Sequence, residues 1–456
     1  MAGGNWASQN KILPGVYINV QSRESVAVAA GERGIVAIAK ALKWGASGVV
    51  QEITPGEDLT PYIGYDITSS EAIFLREMMK GSDVTTAPNK ILLYRLEGTS
   101  GAEASATVGS LTATALYEGT RGNDLSIIIA ADPDDPTTYE IRTVIDGATV
   151  DSQIFTALSE IVDNAWIDFS ASGTTITETS GTSLTGGVDP TIAATDYADF
   201  LEALEPFEFD IVIYDGSTAT VISAFTQFVN RMNDTVGRKC QAVMSLGSGT
   251  ANNKYVIDVK NGVTLSDGTN LTAEQATYWV GGTEAGAKYN QSLTYAQYPG
   301  AMSAYPKLSD SEAEAAISAG KLAFIDTFGV TKVCMDINSK TSTTPKEGAE
   351  FKKNRVIRVI NQFCNDLYKE FAANYIGKVD NNDRGRSLLR GWIVGYLNEM
   401  QSNNGIQNFT AEDVTVSPGN TIDSVLVTVA IQPVDAIERI YVTVTVTANA
   451  MTVLTV

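Results

Sequence analysis

The chain has 456 residues, 44% of them hydrophobic and 19% charged, with a formal net charge of −21 and no histidine. That length supports roughly two to four domains, and that acidity repels phosphate backbones and anionic lipid, so neither nucleic acid nor membrane is an expected partner. The missing histidine excludes Ser-His-Asp and Cys-His catalysis and His-containing zinc sites, while Cys240, Cys334 and Cys364 are too scattered for a disulfide framework and read as core hydrophobes in a reduced compartment.

The N-terminus lacks the apolar core of a signal peptide. No run approaches the ~18 apolar residues of a membrane-spanning helix, so synthesis in a cytoplasm is expected. Residues 1–22 contain one short extended candidate, GVYINVQS, with Val16, Ile18 and Val20 on one face and Tyr17 on the other. Gly and Asn upstream make it an arm. From residue 34 the pattern turns α/β: GIVAIAK is a continuously apolar strand, SSEAIFLREMMKG a helix opened by Ser69 or Ser70 and closed by Gly81, and KILLYRL a second strand.

Composition then shifts. Residues 99–188 hold thirteen acids against two arginines and no lysine, a net charge of −11. LSIIIAA, YEIRTVIDG and WIDFSASGTTI are short strands between turn clusters, which predicts an all-β insertion, a small sandwich or barrel facing solvent. The α/β pattern resumes at DYADFLEALEPFEFDIVIYDG and continues through a helix over Ala219–Asn233 and the strand CQAVMSL. The expectation is one α/β domain, residues 23–98 and 189–343, interrupted by the insertion.

An α+β unit is expected over 344–439. Thr344, Pro345 and Glu347 have the form of a capping box opening a long helix, on which Val356, Ile360, Phe363, Leu367 and Phe371 share a face. A second helix over Arg386–Gln401 aligns Leu389, Ile393, Leu397 and Met400. Residues 440–456 then form a strand-like arm. No charged side chain follows Arg439, and Val442, Val444 and Val446 alternate with threonines, with Val453 further on. Free strand edges normally carry Lys or Pro to prevent pairing, so this ribbon is either buried in its own sheet or meant to pair with another chain.

No short motif supports catalysis or a cofactor. GGTEAGAK (281–288) lacks the Gly-Lys-Ser/Thr of a phosphate loop. DNNDRG (380–385) puts Arg384 at a calcium-ligand position and reads better as a capped turn before a helix. DPDD (132–135) reads as a solvated hairpin tip, and Ser248 in SLGSGT has no base beside it. No catalytic, cofactor or metal residue is therefore expected. Residues 346–390 carry ten Lys or Arg against six acids, +4 in a chain otherwise at −25. That segment is either a solvated helix face or a patch for an acidic partner.

LPGVYINVQS, KWGASGVVQEITPGED, YEGTRGNDLSI, LTGGVDPTIAATDYADFLEALEPFEFDIVIY and GWIVGYLNEMQSNNGIQNF, in this order, resemble the contractile tail sheath proteins of bacteriophages and phage-tail-like bacteriocins, the PBSX-like sheaths among them. The resemblance implies a subtilisin-like central α/β domain and a structural subunit of a virion or phage-tail-like particle, assembled in the host cytoplasm. Such subunits form stacked hexameric rings around an inner tail tube, with baseplate and tail terminator proteins as further partners. Contraction from a metastable extended state drives the tube through a bacterial envelope. It also implies arms donated to a neighbour's C-terminal domain, the strands here being Val16–Val20 and the ribbon of Val442, Val444, Val446 and Val453. Lys352, Lys353 and Arg355, and after them Arg384, Arg386 and Arg390, are the expected tube-facing cations. Two other classes compete: a ligand-binding α/β enzyme, on fold class alone, and a surface adhesin, on the Thr/Ser-rich insertion.

Overall fold

The computed structural model describes residues 2–4, 15–17 and 33–446. Its centre is a seven-stranded sheet in the order Lys321–Leu322, Val256–Val259, Gln241–Met244, Ile211–Ile213, Ile35–Lys40, Lys90–Arg95, Val50–Ile53. All neighbours run parallel except Val50–Ile53, which pairs antiparallel with Lys90–Arg95. Successive side chains of a strand point to opposite faces. Val36, Ile38, Ile91 and Leu93 accordingly enter one core with Phe74, Met78 and Trp279, whereas Ala37, Ala39, Leu92 and Tyr94 enter a second with Phe200, Phe225 and Val229. Burial on both faces is why these strands read as unbroken apolar runs.

A helix that the sequence reading passed over fills one of those faces. Ala273–Gly286 is buried nearly throughout, so it shows no amphipathic stripe. The glycines of the rejected phosphate-loop motif lie on it and serve packing. A Cβ at Gly282 would sit 2.1 Å from the Met78 carbonyl oxygen, and one at Gly281 would sit 2.4 Å from Ile213 Cδ1.

The acidic insertion is a two-sheet antiparallel sandwich. One sheet runs Ala148–Phe155, Tyr139–Ile145, Leu125–Ala131, Thr179–Ser183, and the other Ile167–Ala171, Leu111–Glu118, Glu103–Val108. Its core takes in Trp44, which comes from the α/β domain and packs on Trp166 and Tyr117 at ring-centroid distances of 5.0 and 5.2 Å. Two arginines lace the same junction. Arg95 donates to the carbonyls of Leu42, Gly45 and Glu118, and Arg121 donates to Gly64 O at 2.9 Å and pairs with Asp146 and Asp124. The DPDD segment, exposed from Pro133 on, joins the strands Leu125–Ala131 and Tyr139–Ile145, as expected of a hairpin tip.

The C-terminal unit packs helices Asn354–Asn374 and Asp383–Ser402 against two short antiparallel pairs, Ile406–Gln407 with Gln432–Pro433 and Val414–Pro418 with Val425–Val429. Phe363, Leu389, Ile393, Leu397 and Met400 lie in its core. The DNNDRG turn is a helix start: Asn382 accepts from the Gly385 N–H at 2.9 Å. The long helix, however, begins at Asn354 and not at Pro345. Glu347 closes only a local turn with Thr344, because Lys254 and Lys340 hold its carboxylate at 2.6 and 2.7 Å. A 3-10 turn over Ala349–Lys352 follows, so Lys352 and Lys353 precede the helix instead of standing beyond its first turn.

Candidate assembly interface

At its C-terminal end the described chain leaves the body. Val434 is the last residue tied to the small sheet, its N–H donating to Gly405 O at 3.0 Å. No residue from 434 to 446 joins a strand ladder among the described residues. Val442, Val444 and Val446 are 76, 79 and 89% exposed, and Tyr441 and Ile440 are exposed with them. Of the two readings left open by the sequence, burial in the chain's own sheet therefore does not hold for 440–446. Both faces of the ribbon and its backbone are open, a geometry suited to strand addition. Val453 lies outside the described residues.

At the other end, Gly15–Tyr17, which includes Val16 and Tyr17, pairs in parallel with Ala2–Gly4. Ile18 and Val20 lie outside the described residues. Within the C-terminal unit, the pair Val414–Pro418 and Val425–Val429 uses one edge of each strand, leaving the outer edges unpaired among the described residues. Leu426 and Ile422 are exposed beside it.

The structure distributes the six expected cations unevenly. Arg384 is exposed and Lys352 half-buried, and neither has an ion pair among the described residues. Lys353 is engaged with Glu438 at the root of the arm. Arg355 is half-buried beside the Asn404 carbonyl, and burial lowers its pKa. Arg386 bonds Asp383 at 2.5 Å and Asn381 at 2.7 Å. Arg390 donates to the carbonyls of Val414 and Ala411, fastening the last helix to the sheet.

A seventh cation of the same segment, Arg358, is fully buried between Glu284 and Asp336 of the α/β domain. Burial pushes the Glu284 carboxyl well above the ordinary range in spite of Arg358. Asp336 is held low: burial opposes its charge, but Arg358, the Leu293 N–H and a hydrogen bond from Glu284 outweigh it. Asn354 adds a 2.9 Å bond to Asp336. Sequence reasoning missed Glu284, Asp336 and Glu438. The one signal available was Glu438 itself, the last acid of the chain, standing beside Arg439 where the charged residues stop.

The place where an open α/β sheet would hold a ligand, outside the carboxyl ends of the strands where their order reverses, is filled. There Tyr278 donates to Asp215 at 2.6 Å and accepts from Lys40 at 2.7 Å. Among the described residues no cluster of acids and cysteines could hold a metal, and no helix is long and apolar enough to cross a membrane.

Four family models match in chain order: tail sheath protein Gp18 domain III N-terminal region over 33–96, phage tail sheath protein beta-sandwich domain over 99–189, phage tail sheath protein central domain over 191–339, and phage tail sheath C-terminal domain over 346–447. The Bacillus subtilis phage-like element PBSX protein XkdK is 32% identical, with 97% of this chain and 99% of that one covered. A crystal structure of the sheath tail protein from Desulfitobacterium hafniense is 38% identical, covers 94% of this chain and 99% of its own, and superposes with a TM-score of 0.84. The helical sheath of the anti-feeding prophage in its contracted state shares the fold at 13% identity, with 95% of this chain and 99% of that one covered and a TM-score of 0.56.

Proposed function

The chain belongs to the phage tail sheath family, a family of structural, non-catalytic proteins, and from that premise we propose that it is the subunit of a contractile sheath which stacks as hexameric rings around an inner tail tube. Contraction from a metastable extended lattice would drive the tube through a bacterial envelope. The stored energy is a difference between two packings of the same subunits, and no nucleotide is required. Baseplate and tail terminator proteins would close the two ends of the particle.

The observation that carries this reading is the exposed Val/Thr ribbon after Arg439. Strand donation joins subunits through main-chain hydrogen bonds while alternate side chains set the register. The unpaired edges of the Val414–Pro418 and Val425–Val429 pair are the acceptors we assign in the neighbouring subunit, with the N-terminal strand as the second donor. The division into arm (1–22), split subtilisin-like domain (23–98 and 189–343), outward-facing sandwich (99–188), α+β domain (344–439) and final arm (440–456) belongs to the same proposal. The parallel sheet with helices on both faces and the bounds of the matching family models support it.

Removing residues 1–20, or separately Met451–Val456, tests the reading. Circular dichroism should remain that of the full chain, while negative-stain microscopy should lose the long tubes. Normal tubes from either truncated protein would overturn it.

A further inference from the structure

Glu438 is tucked in while its apolar neighbours are out. Ile437 and Ile440 are 86 and 78% exposed, yet the Glu438 side chain is only 10% exposed. Its carboxylate accepts from Lys353 Nζ and, at 2.8 Å, from the Thr294 hydroxyl. Thr294 Oγ1 accepts in turn from the Asp336 N–H at 2.9 Å, and the Asp336 carboxylate is bound to the buried Arg358 at 2.7 Å. The root of the arm is thus wired through hydrogen bonds into the ion cluster that joins the long helix to the α/β domain. Lys353 stands at the N-cap of that helix, where the helix dipole disfavours a cation, and the Glu438 carboxylate offsets this.

We propose that Glu438 is the clamp that sets where the C-terminal arm leaves its subunit, so that the joint between subunits bends only beyond it, from Arg439 onward. This rests on the sheath reading and adds the mechanical boundary of the joint. Arg439 and Ile440 are exposed and outside any ladder, so they are free to bend. With the clamp broken, the next anchor upstream is Val434. The four residues 435–438 then join the linker, and at roughly 3.3 Å per extended residue they add about 13 Å of slack. A lattice that must change its rise and twist in concert cannot tolerate slack of that size at every joint. The clamp would therefore convert the rotation of one subunit into displacement of the next.

The test uses the full-length protein in solution, where a nitroxide spin label at the exposed position between Val434 and Glu438 (Ile437→Cys, with Cys240, Cys334 and Cys364 replaced by alanine) reads the clamp without requiring assembly. Glu438→Ala should shorten the rotational correlation time of the label severalfold and leave the circular dichroism unchanged. Lys353→Met should act in the same direction, and the exchanged pair Lys353→Glu with Glu438→Lys should restore the slower motion. If Glu438→Ala fails to fold, the comparison of Lys353→Met with wild type decides alone. Unchanged label motion in Lys353→Met and Glu438→Ala overturns the clamp. By microscopy the variants should still polymerise, because the arm itself is intact, but with irregular ring spacing; regular tubes of wild-type spacing from Glu438→Ala also overturn it. A wild-type protein that forms no tubes counts against the sheath reading alone, since the spin-label result stands apart from it.

Discussion

Arg358 of the long C-terminal helix and Asp336 of the α/β domain form a 2.7 Å ion pair in which neither side chain is more than 1% exposed. The pair, with Glu284 on the other side of the guanidinium, holds two domains to one another out of reach of bulk solvent. Desolvating charges is expensive, so such a cluster adds little net stability while intact, but loss of one member leaves the others buried and uncompensated.

The first prediction follows directly. Arg358→Met should destabilise the protein by about 3–5 kcal/mol, because Asp336 is left without its cation in a dry site. Arg358→Lys should recover only part of this, since a single ammonium cannot bridge two carboxylates and the Gln291 carbonyl as a planar fork does. Denaturant unfolding of both variants checks this. Wild-type stability in Arg358→Met would contradict it.

The second concerns pH. The folded state raises the Glu284 carboxyl above its ordinary value of 4.5. A group raised on folding contributes stability that is complete below the unfolded value and is lost as pH rises through the folded one. Glu284→Gln, a neutral isostere of the protonated acid, should therefore flatten the fall of melting temperature that wild type shows as pH rises above 4.5. Parallel pH profiles for the variant and wild type would remove the argument.

The third concerns glycines. Gly282→Ala drives a methyl to 2.1 Å from a carbonyl oxygen and should cost at least about 1–3 kcal/mol. Gly391 and Gly395 lie on the exposed face of the last helix with nothing within 4 Å of an added Cβ. Alanine there should stabilise the isolated subunit by about 0.5–1 kcal/mol each, through helix propensity. Thermal melts of the three variants separate the cases.

The fourth concerns the sandwich. Trp44→Ala empties a site where the α/β domain packs into the insertion's core and should cost about 3–5 kcal/mol. Proteolysis should then cut first in residues 99–188, and the α/β domain should survive. Simultaneous loss of both units would mean that they fold as one.

The fifth concerns the basic segment. On the proposal that Lys352 and Arg384 face an inner tube, Lys352→Glu and Arg384→Glu should weaken attachment to it, in the same direction as added salt, since rim pairs of roughly 0.2–1 kcal/mol would recur at every subunit. Lys353→Glu should instead disturb the arm through Glu438. Stable extended tails from the Lys352/Arg384 double reversal would reduce the patch to a solvated surface.

What the sequence determined by itself was whatever local patterning encodes. The unbroken apolar runs marked strands buried on two faces, a shift in composition and short strands between turn clusters marked the insertion, and Leu389, Ile393, Leu397 and Met400 marked the inner face of the last helix. The Val/Thr ribbon announced an edge in need of a partner. Each depends on residues within a few positions of one another, so period and composition suffice. The partners of the charges were decided by tertiary structure alone. Arg358 meets an acid 74 positions away and Lys353 one 85 positions away, and nothing near either residue in the chain specifies those distances. The same holds for the start of the long helix, where Lys254 and Lys340 take the carboxylate of Glu347, and for Ala273–Gly286, whose burial on all sides erases the stripe by which a helix is read. Local sequence sets the shape of each element; electrostatic pairing and close backbone approach exist only once those elements are packed.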